Sequence, residues 1–233
     1  MLKAIFFDFN GVILDDEELH FESLRKVLEE EGVSITREAY YRDCLGFNDT
    51  DCFRWGLESE ERLAQAGGID KLVERKSVYY QQLLQREVRF FPGVCEFIRT
   101  ASGKFSLGLA SMALRSEIEW TLQRAGILHL FQAIVSGEDV GRTKPDPEAY
   151  LEALRRMNEA LRRAGKAEAS AMESLVVEDS QPGIQAARRA GMKVLALAHT
   201  CRPEELEEAD WVLPSLEGVS PEEVETRFLG RVR

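Results

Sequence analysis

Four short segments place polar or charged residues where an apolar run ends or where prolines stiffen a turn. The first is a nearly continuous apolar run, 2–7, which ends on Asp8 and is followed by Asn10 and Gly11, two residues that favour a tight turn. A carboxylate at the carboxyl end of a buried strand lies where open α/β sheets bind their ligands. Its burial is unfavourable unless a metal ion or an electrophilic substrate pairs with it. A solvated acid before a turn explains this one segment equally well.

The other three segments supply a hydroxyl, an amine and two more carboxylates. They are the run 108–110 that ends on Ser111, the turn 141–147 that contains Lys144, and the run 175–177 that ends on Glu178 and Asp179. Taken singly, each has a structural explanation, as a turn residue, a solvated lysine and a helix N-cap respectively. Prolines at positions 145 and 147 restrict the backbone beside Lys144, which is less typical of a lysine that is only solvated.

In that order, Asp8, Ser111, Lys144 and the pair Glu178-Asp179 resemble the four motifs of the haloacid dehalogenase-like superfamily. The segment 179–191, DSQPGIQAARRAG, is similar to the fourth motif of the group that carries a helical cap and includes β-phosphoglucomutase and phosphoglycolate phosphatase. Each motif is short, but four motifs in this order and spacing are specific, and the resemblance covers nearly the whole chain. It implies a Mg²⁺-dependent phosphohydrolase.

The resemblance implies a role in phosphoryl transfer for each of four residues. Asp8 would be the nucleophile that attacks phosphorus and forms an aspartyl phosphate. Lys144 would bridge the phosphate and Asp8. The hydroxyl of Ser111 and the backbone N–H of Met112 would donate hydrogen bonds to phosphate oxygens, where charge develops during the transfer.

The resemblance also implies a Mg²⁺ site next to the nucleophile. Asp8, the backbone oxygen of Asn10 and Asp179 would bind the ion together with waters, and Glu178 would lie in its outer shell. A set of oxygen ligands that keeps several waters suits Mg²⁺.

Asn10 departs from the pattern, because most phosphatases and mutases of this group have Asp there to protonate the leaving oxygen and then activate water. An amide has no titratable proton for either step. Three explanations stay open. Another acid of the insert takes the role, the substrate has a good leaving group, or Asn10 is an introduced change that traps substrate. The candidate acids are Asp15, Asp16, Glu17, Glu18 and His20.

Four residues of the insert are predicted to face the substrate. His20 resembles the histidine of the β-phosphoglucomutase pattern DxxxxHF, although a partly buried imidazole on a helix face explains it nearly as well. Gly46, Asn48 and Asp49 lie in a segment that resembles the family's substrate-facing loop. In the mutase an arginine there binds a second phosphate, whereas Asp49 would repel one, which favours a phosphatase. Arg54 and Lys76 could contribute positive charge to the cap, although a solvated helix face is the preferred interpretation for both.

The surrounding pattern predicts an α/β fold with two domains. Residues 15–87 show no strand pattern, and amphipathic helices are predicted over 17–31 and 69–85. A helix capped by Thr36 is predicted over 37–40, and two short helices over 51–57 and 60–66. From residue 94 onward, strands at 105–110, 133–135, 175–177, 193–198 and 211–213 alternate with helices at 114–124, 146–164 and 182–190. This indicates a doubly wound, Rossmann-like parallel-sheet core, 1–14 and 88–233, with an inserted all-helical cap domain, 15–87.

Composition narrows the class of partner. With 30 Lys and Arg against 41 Asp and Glu, the net charge is −11, which argues against nucleic acid or an anionic membrane as the partner. The family resemblance implies a small phosphorylated metabolite as the partner and a monomer. The cysteines form no CxxC pair, and no signal peptide or membrane-spanning apolar run is visible, so free thiols and a cytoplasmic location are predicted. The four cysteines are Cys44, Cys52, Cys95 and Cys201.

The resulting functional prediction is hydrolysis of a small phosphomonoester, a sugar phosphate or a phosphoglycolate-like compound, through an aspartyl phosphate on Asp8. Two alternatives remain. One is a hexose-phosphate mutase like β-phosphoglucomutase. The other is a phosphate-ester binder with impaired turnover, because Asn10 replaces the usual acid–base residue.

Overall fold

A computed structural model describes residues 1–45 and 48–230, the side chain of Glu60 excepted. The chain forms two compact units, one made of Met1–Asp15 and Phe90–Arg233 and the other of Asp16–Arg89. The boundaries between the units fall after Asp15 and after Arg89. The sequence predicted domain boundaries after residues 14 and 87. In the part that the structure describes, none of the helices combines the length and the apolar character that crossing a bilayer requires.

The second unit contains helices and, within its described residues, no strand. The helices are α1 Glu17–Glu30, α2 Arg37–Asp43, α3 Asp49–Leu57, α4 Glu60–Gln65 and α5 Ile69–Arg86. Their apolar faces pack into one cluster that includes Phe21, Leu28, Phe53 and Leu72. The helical spacing of these apolar residues explains why the sequence indicated helices here.

The cysteine prediction was wrong for one pair. Cys44 ends α2 and Cys52 lies in α3, and the structure joins them in a disulfide with their Cα atoms 5.8 Å apart. A separation of eight residues gave no such signal. Cys95 and Cys201 are free, as predicted.

The first unit is built on a six-stranded parallel sheet. Its strands are β1 Ala4–Phe7, β2 Ser106–Ala110, β3 Phe131–Val135, β4 Ser174–Glu178, β5 Lys193–Leu197 and β6 Trp211–Leu213. The spatial order is β3-β2-β1-β4-β5-β6, which is the doubly wound order. The predicted α/β class with a parallel-sheet core is therefore confirmed. The continuous apolar runs of β1, β2 and β4 reflect burial of most of their residues.

Helices connect and cover these strands. They are α6 Val94–Ser102, α7 Arg115–Arg124, α8 Glu148–Arg163, α9 Gln181–Arg189 and α10 Pro221–Phe228, and the sequence interpretation did not identify α6 or α10. Tyr150 and Met157 of α8 pack against Phe6 and Val176 in one buried cluster. The strand order reverses between β1 and β4, and ligands of such folds bind outside the carboxyl ends of the strands at this switch point.

Candidate active site

The turn after β1 carries the predicted nucleophile. Asp8 follows β1 directly, and its N–H donates to the Val177 carbonyl of β4 at 3.0 Å. The chain then folds back on itself, because the N–H groups of Ile13 and Leu14 donate to the Phe9 carbonyl at 2.8 and 2.9 Å. Asn10 lies within this turn and pairs with Leu14 in an isolated bridge.

Gly11 is required in this turn for two reasons. Its φ of +75° lies in the left-handed region that disfavours a side chain. A Cβ atom there would also lie 1.9 Å from Oδ2 of Asp179, so the Asp179 carboxylate occupies the space that another residue would fill. The absence of a side chain thus lets the β1 and β4 loops meet.

Lys144 joins two of the acids. Its Nζ lies 2.9 Å from Oδ1 of Asp8 and 2.6 Å from Oε1 of Glu178, and its side chain is only 8% exposed. Burial opposes the charge on Lys144, but Asp8 and Glu178 outweigh this effect and hold its pKa above the usual value. The ammonium group is therefore charged and fixed beside Asp8.

Glu178 is fully buried, and the protein itself satisfies its carboxylate. Oε1 accepts from Lys144 and from the hydroxyl of Tyr150 at 2.8 Å, while Oε2 accepts from the N–H groups of Asp179 and Ser180 and from the Ser180 hydroxyl at 2.9 to 3.1 Å. Burial opposes ionisation, but Lys144 and these hydrogen bonds keep the pKa of Glu178 below its usual value. Glu178 is thus an ionised anchor for Lys144.

Asp179 completes an acidic group. One oxygen each from Asp8, Glu178 and Asp179 lie within 4.8 Å of one another. Burial raises the pKa of Asp8 to about 6, although Lys144 opposes this shift. Burial, and then the charges of Glu178 and Asp8, raise the pKa of Asp179 well above its usual value. Three ionised carboxylates, those of Glu178 and Asp179 buried and that of Asp8 partly buried, would carry more negative charge than one lysine can offset.

This excess charge fits a bound divalent cation. A cation at the acidic group would offset the repulsion that otherwise favours protonation of Asp8 and Asp179. The donor atoms are oxygens only, which suits a hard ion such as Mg²⁺ and not a thiolate-binding metal. The structure therefore brings together the predicted acids in a geometry that could hold a metal.

Ser111 lies at the same edge of the sheet. It follows β2, which pairs with β1 in a register that sets Leu109 opposite Phe7. Its N–H donates to the Val135 carbonyl at 3.0 Å, and its Oγ accepts from the N–H of Ala113 at 3.1 Å. The same hydroxyl keeps a rotatable O–H that can donate to a phosphate oxygen. Met112 follows in the loop and is partly buried.

Sequence reasoning missed three residues that contact the acidic group or its loops. They are Tyr150 on Glu178, Thr200, whose hydroxyl donates to Oδ2 of Asp179, and His199, whose Nδ1 lies 2.8 Å from the Gly11 carbonyl oxygen. Burial lowers the pKa of His199, so the ring is neutral at neutral pH. These contacts arise between distant segments, and no local pattern indicates them.

The predicted cap residues lie in the helical unit, where the structure corrects the prediction for Lys76. Lys76 is 3% exposed and not solvated. Its Nζ lies 2.7 Å from Nδ1 of His20 and also pairs with Asp49. His20 Nε2 lies 3.1 Å from Asp16 Oδ2, and its ring stacks on Tyr80. The amphipathic pattern of α5 predicts a solvated lysine, but the contacts with His20 and Asp49 bury Lys76.

The same contacts define a cavity within the helical unit. It has a volume of about 220 Å³ and is lined by Glu17, His20, Leu24, Tyr40, Asn48, Asp49, Cys52 and Lys76. Asn48 also caps α3 by accepting from the Asp51 N–H at 2.9 Å. Arg54 is exposed, as predicted. Gly46 lies outside the described residues.

Comparisons with known proteins show the family of the chain. A family model described as haloacid dehalogenase-like hydrolase matches residues 5–197. The chain is 30% identical over 202 residues to a Thermotoga maritima protein named phosphorylated carbohydrates phosphatase, covering 85% of this chain and 87% of that one. It is 26% identical over 205 residues to β-phosphoglucomutase of Bacillus subtilis, covering 82% and 81%.

Solved structures agree on the fold. The crystal structure of β-phosphoglucomutase from Clostridium difficile matches with a TM-score of 0.76 over 99% of both chains, at 23% identity. The predicted enzyme class, a haloacid dehalogenase-like phosphohydrolase, is confirmed by the family match together with the phosphatases among the relatives. The chain belongs to the haloacid dehalogenase-like hydrolase family.

Proposed function

We propose that this protein is a Mg²⁺-dependent phosphatase that hydrolyses a small phosphomonoester through an aspartyl phosphate on Asp8. The observation that carries the proposal is the placement of Asp8 within 2.9 Å of the buried Lys144 ammonium, in a group of three carboxylates at the switch point of the sheet. This carboxylate is oriented, keeps 14% of its side chain exposed, and has a cation beside the oxygens that will carry charge.

The first step is attack by an Asp8 oxygen on phosphorus, in which an O–P bond forms and the P–O bond to the leaving group breaks. Lys144 offsets the charge of the phosphoryl oxygens and stays fixed because Glu178 holds it from the other side. Ser111 and the N–H of Met112 donate to the transferred group. Asp8, Asp179 and the Asn10 carbonyl would hold Mg²⁺, which would keep the carboxylates ionised and neutralise phosphoryl charge.

Glu178 suits a place in the outer shell. The protein already supplies donors to both of its oxygens, including Lys144 and the backbone N–H of Asp179. Within the described residues, Asp179 accepts a hydrogen bond from the Thr200 hydroxyl and has fewer protein donors than Glu178. This difference in protein donors supports Asp8 and Asp179 as direct metal ligands and Glu178 as an outer-shell residue.

Asn10 limits both halves of the reaction. Its amide can hydrogen-bond to the leaving oxygen but cannot give it a proton, and it cannot take a proton from the attacking water. We therefore propose that the protein works best on esters with good leaving groups and that hydrolysis of the aspartyl phosphate is slow. If both steps are slow enough, the protein binds phosphate esters and turns them over only poorly.

The helical unit supports a monophosphate substrate over a bisphosphate. We propose that Gly46, His20, Asn48 and Asp49 contact the substrate. Lys76 is already paired with Asp49, so a second phosphate would have to displace a carboxylate to reach it. This disfavours the mutase alternative. The name of the Thermotoga relative, a phosphatase of phosphorylated carbohydrates, supports a sugar phosphate.

The remaining aspects of the proposal rest on composition. A net charge of −11 counts against nucleic acid or an anionic membrane as the partner, so a small phosphorylated metabolite is proposed in their place. A monomer in the cytoplasm stays a prediction.

The test is phosphate release from a broad panel of phosphomonoesters, with Mg²⁺ and with EDTA, and with Asp8→Ala as the blank. The proposal expects release that requires both Mg²⁺ and Asp8, with sugar phosphates among the best substrates. Release that is unchanged in Asp8→Ala would refute it. Tight binding of esters without release, restored to turnover by Asn10→Asp, would establish the binder.

A further inference from the structure

Two adjacent residues after β5 each hold one of the two loops that form the acidic site. His199 Nδ1 lies 2.8 Å from the carbonyl oxygen of Gly11, in the turn after β1. The hydroxyl of Thr200 donates to Oδ2 of Asp179, in the loop after β4. Since a carbonyl oxygen only accepts, the Nδ1 of His199 must be the donor in its contact.

These contacts close a ring of four residues. Gly11 and Asp179 lie directly against each other, because a Cβ on Gly11 would be 1.9 Å from Oδ2 of Asp179. Gly11 is held by His199, Asp179 is held by Thr200, and His199 and Thr200 are joined by a peptide bond. A displacement of either loop therefore has to stretch at least one of these contacts.

The imidazole itself is oriented by packing. Its ring stacks on Phe91 with the centroids 3.8 Å apart and the planes 10° from parallel. Phe91 is in turn tied to the turn after β1, since its N–H donates to the Ile13 carbonyl at 3.2 Å. The stacking on Phe91 and the hydrogen bond to the Gly11 carbonyl oxygen together set the direction of the Nδ1–H bond.

The contact with Gly11 has a consequence for Asn10. A trans peptide is planar, and its C=O points away from its N–H. The Gly11 N–H donates to the Leu14 carbonyl at 3.0 Å, which sets the plane of the peptide that carries the Asn10 carbonyl. The Gly11 carbonyl, held by His199, sets the next plane. The direction of the Asn10 carbonyl therefore depends on both contacts.

We propose that His199 and Thr200 are positioning residues for the divalent-cation site, His199 by orienting the turn that carries the Asn10 carbonyl and Thr200 by orienting the Asp179 carboxylate. This inference rests on the metal site of the proposed function. Neither residue touches the reacting atoms. Partners of metal ligands of this kind typically change metal affinity by about 10- to 100-fold when they are removed.

The test measures binding of Mn²⁺, as a spectroscopic probe for the site, by the electron paramagnetic resonance signal of the free ion and without substrate. His199→Phe keeps a flat ring against Phe91 but removes the donor. Thr200→Val keeps the shape but removes the hydroxyl, and Thr200→Ser restores it. His129→Phe, at an exposed histidine, is the matched control. Thermal unfolding of each variant shows whether it is folded.

The expected result is that His199→Phe and Thr200→Val each weaken Mn²⁺ binding about tenfold or more, while Thr200→Ser and His129→Phe stay within about twofold of the unchanged protein. Rescue by serine separates positioning from packing. If His199→Phe does not fold, the comparison of Thr200→Val with Thr200→Ser still decides the role of the hydroxyl. His199→Asn, which keeps an N–H donor, then replaces the phenylalanine variant. Its affinity for Mn²⁺ should be near that of the unchanged protein.

Three other results would each count against a different statement. Folded His199→Phe and Thr200→Val that bind Mn²⁺ as tightly as the unchanged protein would overturn the positioning roles. An unchanged protein that binds no Mn²⁺ would overturn the metal site and the positioning roles with it. Normal Mn²⁺ binding with the expected variant effects, but no phosphate release, would support the positioning roles and count against the phosphatase.

Discussion

Lys144 Nζ lies closer to Glu178 than to Asp8, at 2.6 Å against 2.9 Å. The lysine beside the nucleophile is thus anchored by a second acid, which is itself held by Tyr150 and the backbone of Asp179 and Ser180. This arrangement keeps the ammonium group in place before any substrate arrives, so its reorganisation adds little to the barrier of the reaction.

The anchored lysine leads to a prediction about stability. Lys144→Met leaves Glu178 and Asp8 buried without a protein cation, so the free energy of unfolding of the metal-free protein should fall by about 3 to 5 kcal/mol. Urea unfolding in EDTA measures it. Lys166→Met, at an exposed lysine, is the control and should change the free energy by about 0.5 kcal/mol or less. Equal midpoints for the two variants would show that the buried pair does not stabilise the fold.

Asn10 leads to a prediction about leaving groups. Asn10→Asp supplies an acid for the leaving oxygen and a base for water, each of which typically contributes about 10²- to 10⁴-fold. We expect a large gain in kcat/KM, which reports the phosphorylation step, on alkyl phosphates such as sugar phosphates, and a smaller gain in kcat/KM on p-nitrophenyl phosphate, whose leaving group needs no proton. Steady-state kinetics on both classes measures this. A gain of the same size on both would argue that Asn10→Asp acts in another way than by protonating the leaving group.

The pairing of Asp49 with Lys76 leads to a prediction about specificity. Asp49→Asn frees the Lys76 charge, so hydrolysis of a sugar bisphosphate should rise relative to the matching monophosphate, by about tenfold in the ratio of kcat/KM if the gain is near 1.4 kcal/mol. Asp70→Asn removes an exposed acid at the start of α5 and serves as the control for net charge. An unchanged ratio in Asp49→Asn would show that this pair does not select against a second phosphate.

Asp139 leads to a prediction about pH. Its carboxylate accepts from the N–H and the hydroxyl of Ser136 at 2.8 and 2.7 Å and pairs with Arg156 at 2.9 Å and with Arg115. Burial opposes ionisation, but these contacts outweigh it and hold the pKa of Asp139 well below its usual value. Because the pKa is lower in the folded state, the stabilisation is complete above the unfolded pKa and is lost as the pH falls through the folded one.

Asp139→Asn should therefore lower the free energy of unfolding by about 2 kcal/mol at pH 7. The difference from the unchanged protein should shrink as the pH falls below about 4. Denaturant titrations at several pH values measure this, with Glu204→Gln at an exposed acid as the control. A difference that is the same at pH 7 and at pH 3 would mean that the ionised carboxylate is not what stabilises the fold.

The main chemistry of the site could be predicted because it is local in sequence. Asp8, Ser111, Glu178 and Asp179 each end a strand or follow one directly, and parallel strands bring their carboxyl ends to one edge. The apolar runs of β1, β2 and β4 are long enough to locate those ends. Lys144 was recognised from its prolines and its place between the other motifs, not from any strand.

The contacts that the sequence did not predict depend on packing between distant segments. His199 and Thr200 reach the site only because β5 lies beside β4, and Tyr150 only because α8 packs on the sheet. Lys76 looked like a solvated lysine because the pattern of α5 does not reveal the two partners, His20 and Asp49, that bury it.

The central claim is a covalent phosphoryl group on Asp8. With p-nitrophenyl phosphate and Mg²⁺, the first step needs no proton donor, whereas the second step lacks a base because position 10 is Asn. The phosphoenzyme should therefore accumulate. Rapid acid quench and intact-protein mass spectrometry should show a gain of one phosphoryl group, which peptide mapping places on Asp8, together with a burst of p-nitrophenolate of about one per protein. EDTA and Asp8→Asn should abolish both. Steady release of p-nitrophenolate by folded protein without a burst or an adduct, or an adduct that persists in Asp8→Asn, would contradict the account.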